Sequence, residues 1–164
     1  MDDILTKYKC NYIKEMRKLV GHAPLMVIGC GVIIENDKGQ ILLQKRRDNS
    51  CWAILGGAME MGEKLAETAR REVLEEAGIE IGELELFGIS SGAERMITYP
   101  NGDICCGVGI VFRTREYRGE IRNNTEEALE HKFFDRENLP DNLNAADRQC
   151  ILEWAQNPQR IIID

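Results

Sequence analysis

Apolar positions along this chain repeat with two different periods. Tyr8, Tyr12, Met16, Leu19 and Val20 fall on one face at helical spacing, and Gly21 follows them, which predicts a helix over 8–20. Ala66, Ala69, Val73 and Ala77 form a second helical stripe, which predicts a helix from about 63 to 77 that Gly78 stops. Between these helices, "PLMVIGCGVIIENDKGQILLQKRR" reads as two strands joined by a turn at Asn36-Asp37-Lys38-Gly39. "CWAILGG" reads as a short strand and "IGELELFGISSGAE" as another; "YPNGD" is a turn. "ICCGVGIVFRTRE" is a long buried strand, and "HKFFDRENLP" a strand that stops before Pro140. "NAADRQCILEWAQN" closes the chain as a helix, with Asn144 as its cap and Ile151, Leu152 and Trp154 apolar. No repeat, low-complexity tract or linker interrupts this order, so a mixed sheet covered by helices in one α/β domain is expected.

The length of 164 residues suits one core. No apolar run is long enough to cross a membrane, and the charges scattered through "MDDILTKYKCNYIKEMRKL" do not fit a signal peptide, so a cytoplasmic chain is expected. A net charge of −7 argues against nonspecific nucleic-acid binding, which needs clustered Lys and Arg. None of the six cysteines forms a C-x-x-C pair, so reduced thiols are expected rather than a zinc site. Two roles are open for the N-terminal helix: packing on its own domain, or a contact between two copies in a homodimer.

The central helix carries the candidate chemistry. Glu72, Glu75 and Glu76 fall within about 100° of one another on a helical wheel. Like charges at these spacings repel. They sit beside the small apolar stripe, on a shoulder that borders a cleft. Two readings follow. One is a solvated acidic helix laced by pairs such as Glu67–Arg71 and Arg71–Glu75. The other is a set of hard oxygen ligands for Mg²⁺, which shares its coordination with substrate phosphates. The glycines just before the helix, Gly56, Gly57 and Gly62, favour the second, because glycine lets backbone approach a ligand closely.

Gly57, Glu63, Arg71-Glu72-Val73, Glu75-Glu76 and Gly78-Ile79, at these intervals, resemble the complete Nudix box. The strands from Met26 to Arg47 resemble the family's opening, and "EEALEHKFFDRENLP" its acidic-Leu-Pro strand end. "YIKEMRKLVGHAPL" resembles a bacterial, ADP-ribose pyrophosphatase-like subgroup with an added N-terminal helix. The resemblance implies an α/β/α sandwich with a mixed β-sheet, divided into a helical extension, 1–22, and a hydrolase domain, 23–164. It implies hydrolysis of a nucleoside diphosphate linked to another moiety, with ADP-ribose or a nucleotide sugar favoured. (Deoxy)nucleoside triphosphates are the alternative, and a nucleotide sensor without activity a further one. It implies Mg²⁺ or Mn²⁺ held by Glu72, Glu75, Glu76 and the Gly57 carbonyl. Glu63 and Arg71 would orient the helix and loop, and Arg46 would contact phosphate. The general base is either a box glutamate, Glu75 or Glu76, or a later carboxylate, Glu127 ahead of Glu126. One departure stands out: Leu55 occupies the position before Gly56-Gly57 where many members carry proline, which predicts a shifted Gly57 carbonyl or a looser loop, with affinity or rate altered and activity retained. Trp52, Tyr99 and Phe134 are candidates to stack on a base, or core residues.

Overall fold

A computed structural model describes residues 12–99, 101–156 and 161–163. Four of the residues expected in the first helix, 8–11, lie outside this range. The described elements are α1 (Tyr12–Val20), β1 (Leu25–Ile34), β2 (Ile41–Arg46), β3 (Trp52–Ala53), β4 (Leu55–Ala58), α2 (Leu65–Ala77), β5 (Glu80–Ile81), β6 (Glu85–Ser90), β7 (Met96–Thr98), β8 (Ile104–Thr114), β9 (Tyr117–Arg118), β10 (Ala128–Phe134), α3 (Ala145–Ala155) and β11 (Ile162–Ile163).

The expected mixed sheet is present, in the order β11-β6-β8-β1-β4, with β7 also on β8. Its β1–β8 and β11–β6 pairs are parallel, and its β6–β8 and β1–β4 pairs antiparallel. A second, antiparallel sheet, β10-β2-β3, accompanies it. The turn at Asn36–Gly39 therefore links two sheets. It closes through Gly39 N–H to Asn36 O and the Glu35–Ile41 bridge, after which β1 and β2 part. "CWAILGG" divides in the same way: β3 joins the second sheet and β4 the first.

The near-continuous apolar run of β1 follows from burial on both faces. Successive side chains point to opposite sides. Val32 and Ile34 pack with Leu42, Leu55, Ala69, Val73 and Ala77 on the α2 side. Ile33 packs with Ile41, Leu43, Trp52, Ile151 and Trp154 on the α3 side. The result is helix, sheets, helix, as expected. Leu55, in the place of the usual proline, is fully buried within β4, so it belongs to the core and not to a loose loop.

Helix α2 begins at Leu65, not Glu63, because Lys64 takes extended dihedrals as its N-cap and its N–H is held by the Glu67 carboxylate. Gly78, at φ 73°, ends it in the left-handed region, as expected, with its N–H on Leu74 O. Asn144 does occupy the N-cap of α3, but its side chain donates to Asp147 and caps no backbone N–H. No helix among the described residues is long and apolar enough to cross a membrane. Helix α1 lies on its own domain through polar contacts: the Tyr12 N–H donates to Glu60, and Arg17 to the Ile104 and Ala23 carbonyls.

Candidate active site

Arg71 organises the first turns of α2. Its guanidinium holds Glu63 by two bonds, 2.6 and 3.0 Å, and also donates to the Ala58 carbonyl at 3.0 Å. Glu63 accepts further from the Glu60 N–H and the Thr68 hydroxyl. The Arg71 bonds, joined by these donors, hold the Glu63 carboxyl at about 2, far below its usual 4.5. Glu63 and Arg71 thus tie the loop from β4 to the helix.

The three clustered glutamates have different surroundings. Glu75 is 59% exposed and reaches Arg71 at 3.1 Å. Glu72 accepts from Arg71 at 2.7 Å, and its carboxylate lies against Gly57, where an added Cβ would fall 2.5 Å from it. Burial raises the Glu72 pKa, and Arg71 opposes the shift. Glu76 is buried and forms no ion pair among the described residues. Gln44 Nε2 donates to its Oε1 at 2.6 Å and the Gly56 N–H to its Oε2 at 2.8 Å. Burial outweighs these bonds and raises its pKa to about 8. Of the two expected pairs, Arg71–Glu75 forms, whereas Glu67 caps the helix instead of meeting Arg71.

A cavity of about 380 Å³ opens beside Glu76, lined by Gln44, Arg46, Arg47, Asp48, Glu126 and Glu127. The structure therefore brings Glu127 to the same space as Glu76 across a separation of about 50 residues. Its charge helps raise the pKa of both Glu72 and Glu76. Arg46 lines this cavity while paired bidentately with Asp48, which holds the Asp48 carboxyl below its usual range. Arg47 fixes the loop that carries Glu126 and Glu127, through Asn124 Oδ1, the Thr125 carbonyl and a backbone bond to Glu127 O. Trp52 and Phe134 meet edge-on at 4.7 Å in the α3-side core, and neither lines the Glu76 cavity. Tyr99 is exposed and lies within the field of Arg46 and Asp48.

Two residues were not singled out from the sequence. Gln44 follows Leu42 at the same strand parity, so a polar side chain at a core-facing position was the available signal. Arg47 carried no signal separate from Arg46.

The backbone contribution of Gly57 is constrained by strand register. The Met59 N–H bonds Ile28 O, which makes 28 and 59 a hydrogen-bonded pair. By antiparallel alternation, Cys30 and Gly57 form the next such pair, so both polar groups of Gly57 turn toward β1. The Gly56 N–H and Ala58 carbonyl instead face α2, on Glu76 and Arg71.

Among the described residues, no three acidic, His or Cys side chains converge closely enough to hold a metal ion together. Arg71 occupies the space between Glu72 and Glu75. The donor chemistry nonetheless fits a hard divalent cation: Glu72 and Glu76 are oxygen donors whose pKa values burial and neighbouring carboxylates raise, and a cation would relieve both.

The position of Glu76 sets a pH dependence. Its folded-state pKa lies above the usual 4.5, so between 4.5 and about 8 the unfolded chain ionises while the fold retains the proton. Stability of metal-free protein is expected to fall as pH rises through that window. Thermal melts in chelator at pH 5 and pH 8 check this, and Glu76→Gln should remove that part of the difference.

The NUDIX domain family matches residues 26–155. An ADP-ribose pyrophosphatase from Methanocaldococcus jannaschii is 38% identical over 111 residues, 66% of this chain and 61% of that protein. A putative 8-oxo-dGTP diphosphatase from Bacillus subtilis is 48% identical over 50 residues, 30% of this chain and 34% of that protein. The chain thus spans about three fifths or less of the length of these curated relatives. The crystal structure of a MutT NUDIX hydrolase from Burkholderia pseudomallei superposes with a TM-score of 0.67 at 28% identity, covering 78% of this chain and 97% of that one. A family match across most of the sequence, on a fold shared with a MutT NUDIX hydrolase, establishes that this chain belongs to the Nudix family.

Proposed function

We propose that the chain is a divalent-metal-dependent pyrophosphohydrolase acting on a nucleoside diphosphate linked to another moiety, with ADP-ribose or a nucleotide sugar as the favoured class. The observation that carries this reading is that Glu76 of α2 and Glu127 of a distant loop line one cavity with Arg46, with the charges of Glu72 and Glu127 both bearing on Glu76. The 38% identical relative named ADP-ribose pyrophosphatase supports the substrate class. Its partner is then a small nucleotide, not nucleic acid.

Glu72, Glu75 and Glu76 would hold Mg²⁺ or Mn²⁺, with Glu75 the freest of the three to reorient. The cation supplies positive charge to a diphosphate and acidifies a water molecule. The chain's own residues do the rest. Glu63 and Arg71 keep the loop and helix in fixed relation. Arg46 turns from Asp48 to a phosphate oxygen, a planar donor fork suited to that geometry. A carboxylate, Glu127 or a box glutamate, takes the proton as water attacks phosphorus. The bridging P–O bond breaks, leaving a nucleoside monophosphate and a phosphorylated second moiety. Strand register commits Gly57's carbonyl toward β1, so the proposed ligand set rests on the carboxylates.

The test is a hydrolysis panel of ADP-ribose, a nucleotide sugar, NADH, dinucleoside polyphosphates and nucleoside triphosphates, with Mg²⁺, Mn²⁺ or chelator. ADP-ribose is expected to yield AMP and ribose 5-phosphate only with metal, at least about tenfold faster than any triphosphate. A preference for triphosphates favours the second reading, which the short match to the Bacillus subtilis protein supports. No cleavage of any compound sinks both.

Gly57→Ala tests the close approach of Glu72. The added methyl meets a flexible carboxylate end, so stability should change little while Glu72 is pushed aside. Activity is expected to fall by about tenfold or more, with a higher metal requirement, read from a Mg²⁺ titration of rate and a thermal melt.

A further inference from the structure

We propose that His131 is a positioning residue for Glu76: its imidazole N–H is donated to Gln44 Oε1 and so fixes the amide that holds Glu76. The inference rests on the reading of Glu76 as part of the active site.

Antiparallel register places His131 on β10 directly opposite Gln44 on β2. Opposed residues in such a pair project on the same face, with Cβ atoms about 4.5–5.5 Å apart. Here that face is the one of Leu42 and Phe133, which packs on α2. Both side chains are buried, Gln44 to 1% and His131 to 7% exposure. The Gln44 amide nitrogen is committed to Glu76 at 2.6 Å and lies 3.4 Å from the Ile54 carbonyl. Among the described residues, its Oε1 has no partner, and neither does either ring nitrogen of His131. A buried acceptor and a buried donor thus stand opposite one another, each costly to leave unmade. Burial lowers the His131 pKa and keeps the ring neutral, with one N–H to give. A rotamer change of the ring or of the amide would close the bond.

The consequence reaches Glu76. The oxygen and nitrogen of an amide have nearly the same shape, and only their partners choose between the two orientations. An N–H at Oε1 fixes the NH₂ toward the carboxylate. Without it, the amide is free to turn Oε1 toward Glu76, where two acceptors would face each other. Two apolar residues would fill this face at lower desolvation cost, so the polar pair needs a use. Orienting Gln44 supplies one. The competing acceptor for the ring N–H is the backbone of Arg122, which also bears on His131.

The experiment is a double-mutant cycle of His131→Leu and Gln44→Leu, read in kcat, in Mn²⁺ affinity by electron paramagnetic resonance, and in thermal melts. His131→Leu alone is expected to lower kcat or Mn²⁺ affinity by about tenfold, and to have no further effect in the Gln44→Leu background. His131→Asn, which keeps a donor, should recover most of the loss. In nitrogen-15 spectra of the wild type, one ring N–H of His131 should exchange slowly, and Gln44→Leu should shift it. Equal losses from His131→Leu in both backgrounds, or a ring N–H untouched by Gln44→Leu, overturn the proposal and assign the N–H to Arg122. If the wild type cleaves no nucleotide, the functional reading fails by itself, while the Mn²⁺ and nitrogen-15 measurements still decide the role of His131.

Discussion

Glu76→Gln is expected to lower kcat by about a thousandfold while leaving the fold intact. The substitution keeps shape and removes charge. Wild-type Glu76 receives two hydrogen bonds, from Gln44 and Gly56, yet burial still raises its pKa to about 8. The site therefore keeps a buried carboxyl whose ionised form stays costly, which stability alone does not explain. A neutral amide removes that cost of ionisation but sets its NH₂ against one of the two donors, so the melting temperature of metal-free Glu76→Gln should change less between pH 5 and pH 8 than that of the wild type. Loss of rate together with loss of this pH-dependent stability is the signature of a functional group held against its own solvation. A variant that cleaves within about threefold of the wild-type rate would remove Glu76 from the site.

Glu35→Leu carries the largest expected effect on stability, a loss of about 3–5 kcal/mol. Glu35 directly follows β1 and has no exposed surface. Its carboxylate accepts from Arg136 at 2.7 Å, from the Trp154 indole at 2.8 Å and from Arg115 at 2.9 Å. Arg136 also stacks over the Trp154 ring at 4.2 Å. One acid thus ties the β1 end to α3 and to the loop after β10. Removing it strands the indole N–H and leaves the Arg136 guanidinium, only 20% exposed, without its anion. Arg115 is 69% exposed and adds little, because solvent screens it. Denaturant titration measures the loss, which for a chain of this size shifts the melting temperature by roughly 10 °C. Glu35 lies on the α3 side of β1, away from the Glu76 cavity, so kcat of the folded fraction should be unchanged.

Several elements were legible because local rules and tertiary packing agreed. The α2 stripe and its Gly78 stop are local, and the structure keeps both. The β1 run was legible as a strand, since both of its faces are buried. Trp52 and Phe134 were ambiguous because an aromatic ring suits a core and a base equally well; only their edge-on packing places them in the core. "CWAILGG" read as one strand because periodicity does not show that a chain changes sheets midway. Asn144 had the right identity for a cap, but Asp147 competes for its side chain. The importance of Gln44 was hidden because its meaning depends on Glu76 above it and His131 beside it, both distant in sequence.

Unaided, the order of residues determined that Glu72, Glu75 and Glu76 share one side of a helix that begins after a glycine loop, since helical spacing fixes angles along a single element. Only the tertiary structure decided that these acids are unequal. Glu75 faces water, Glu72 rests on Gly57 beside Arg71, and Glu76 is enclosed under Gln44 with Glu127 nearby. Burial and field depend on what packs over a side chain, and those neighbours come from strands and a loop far away along the chain.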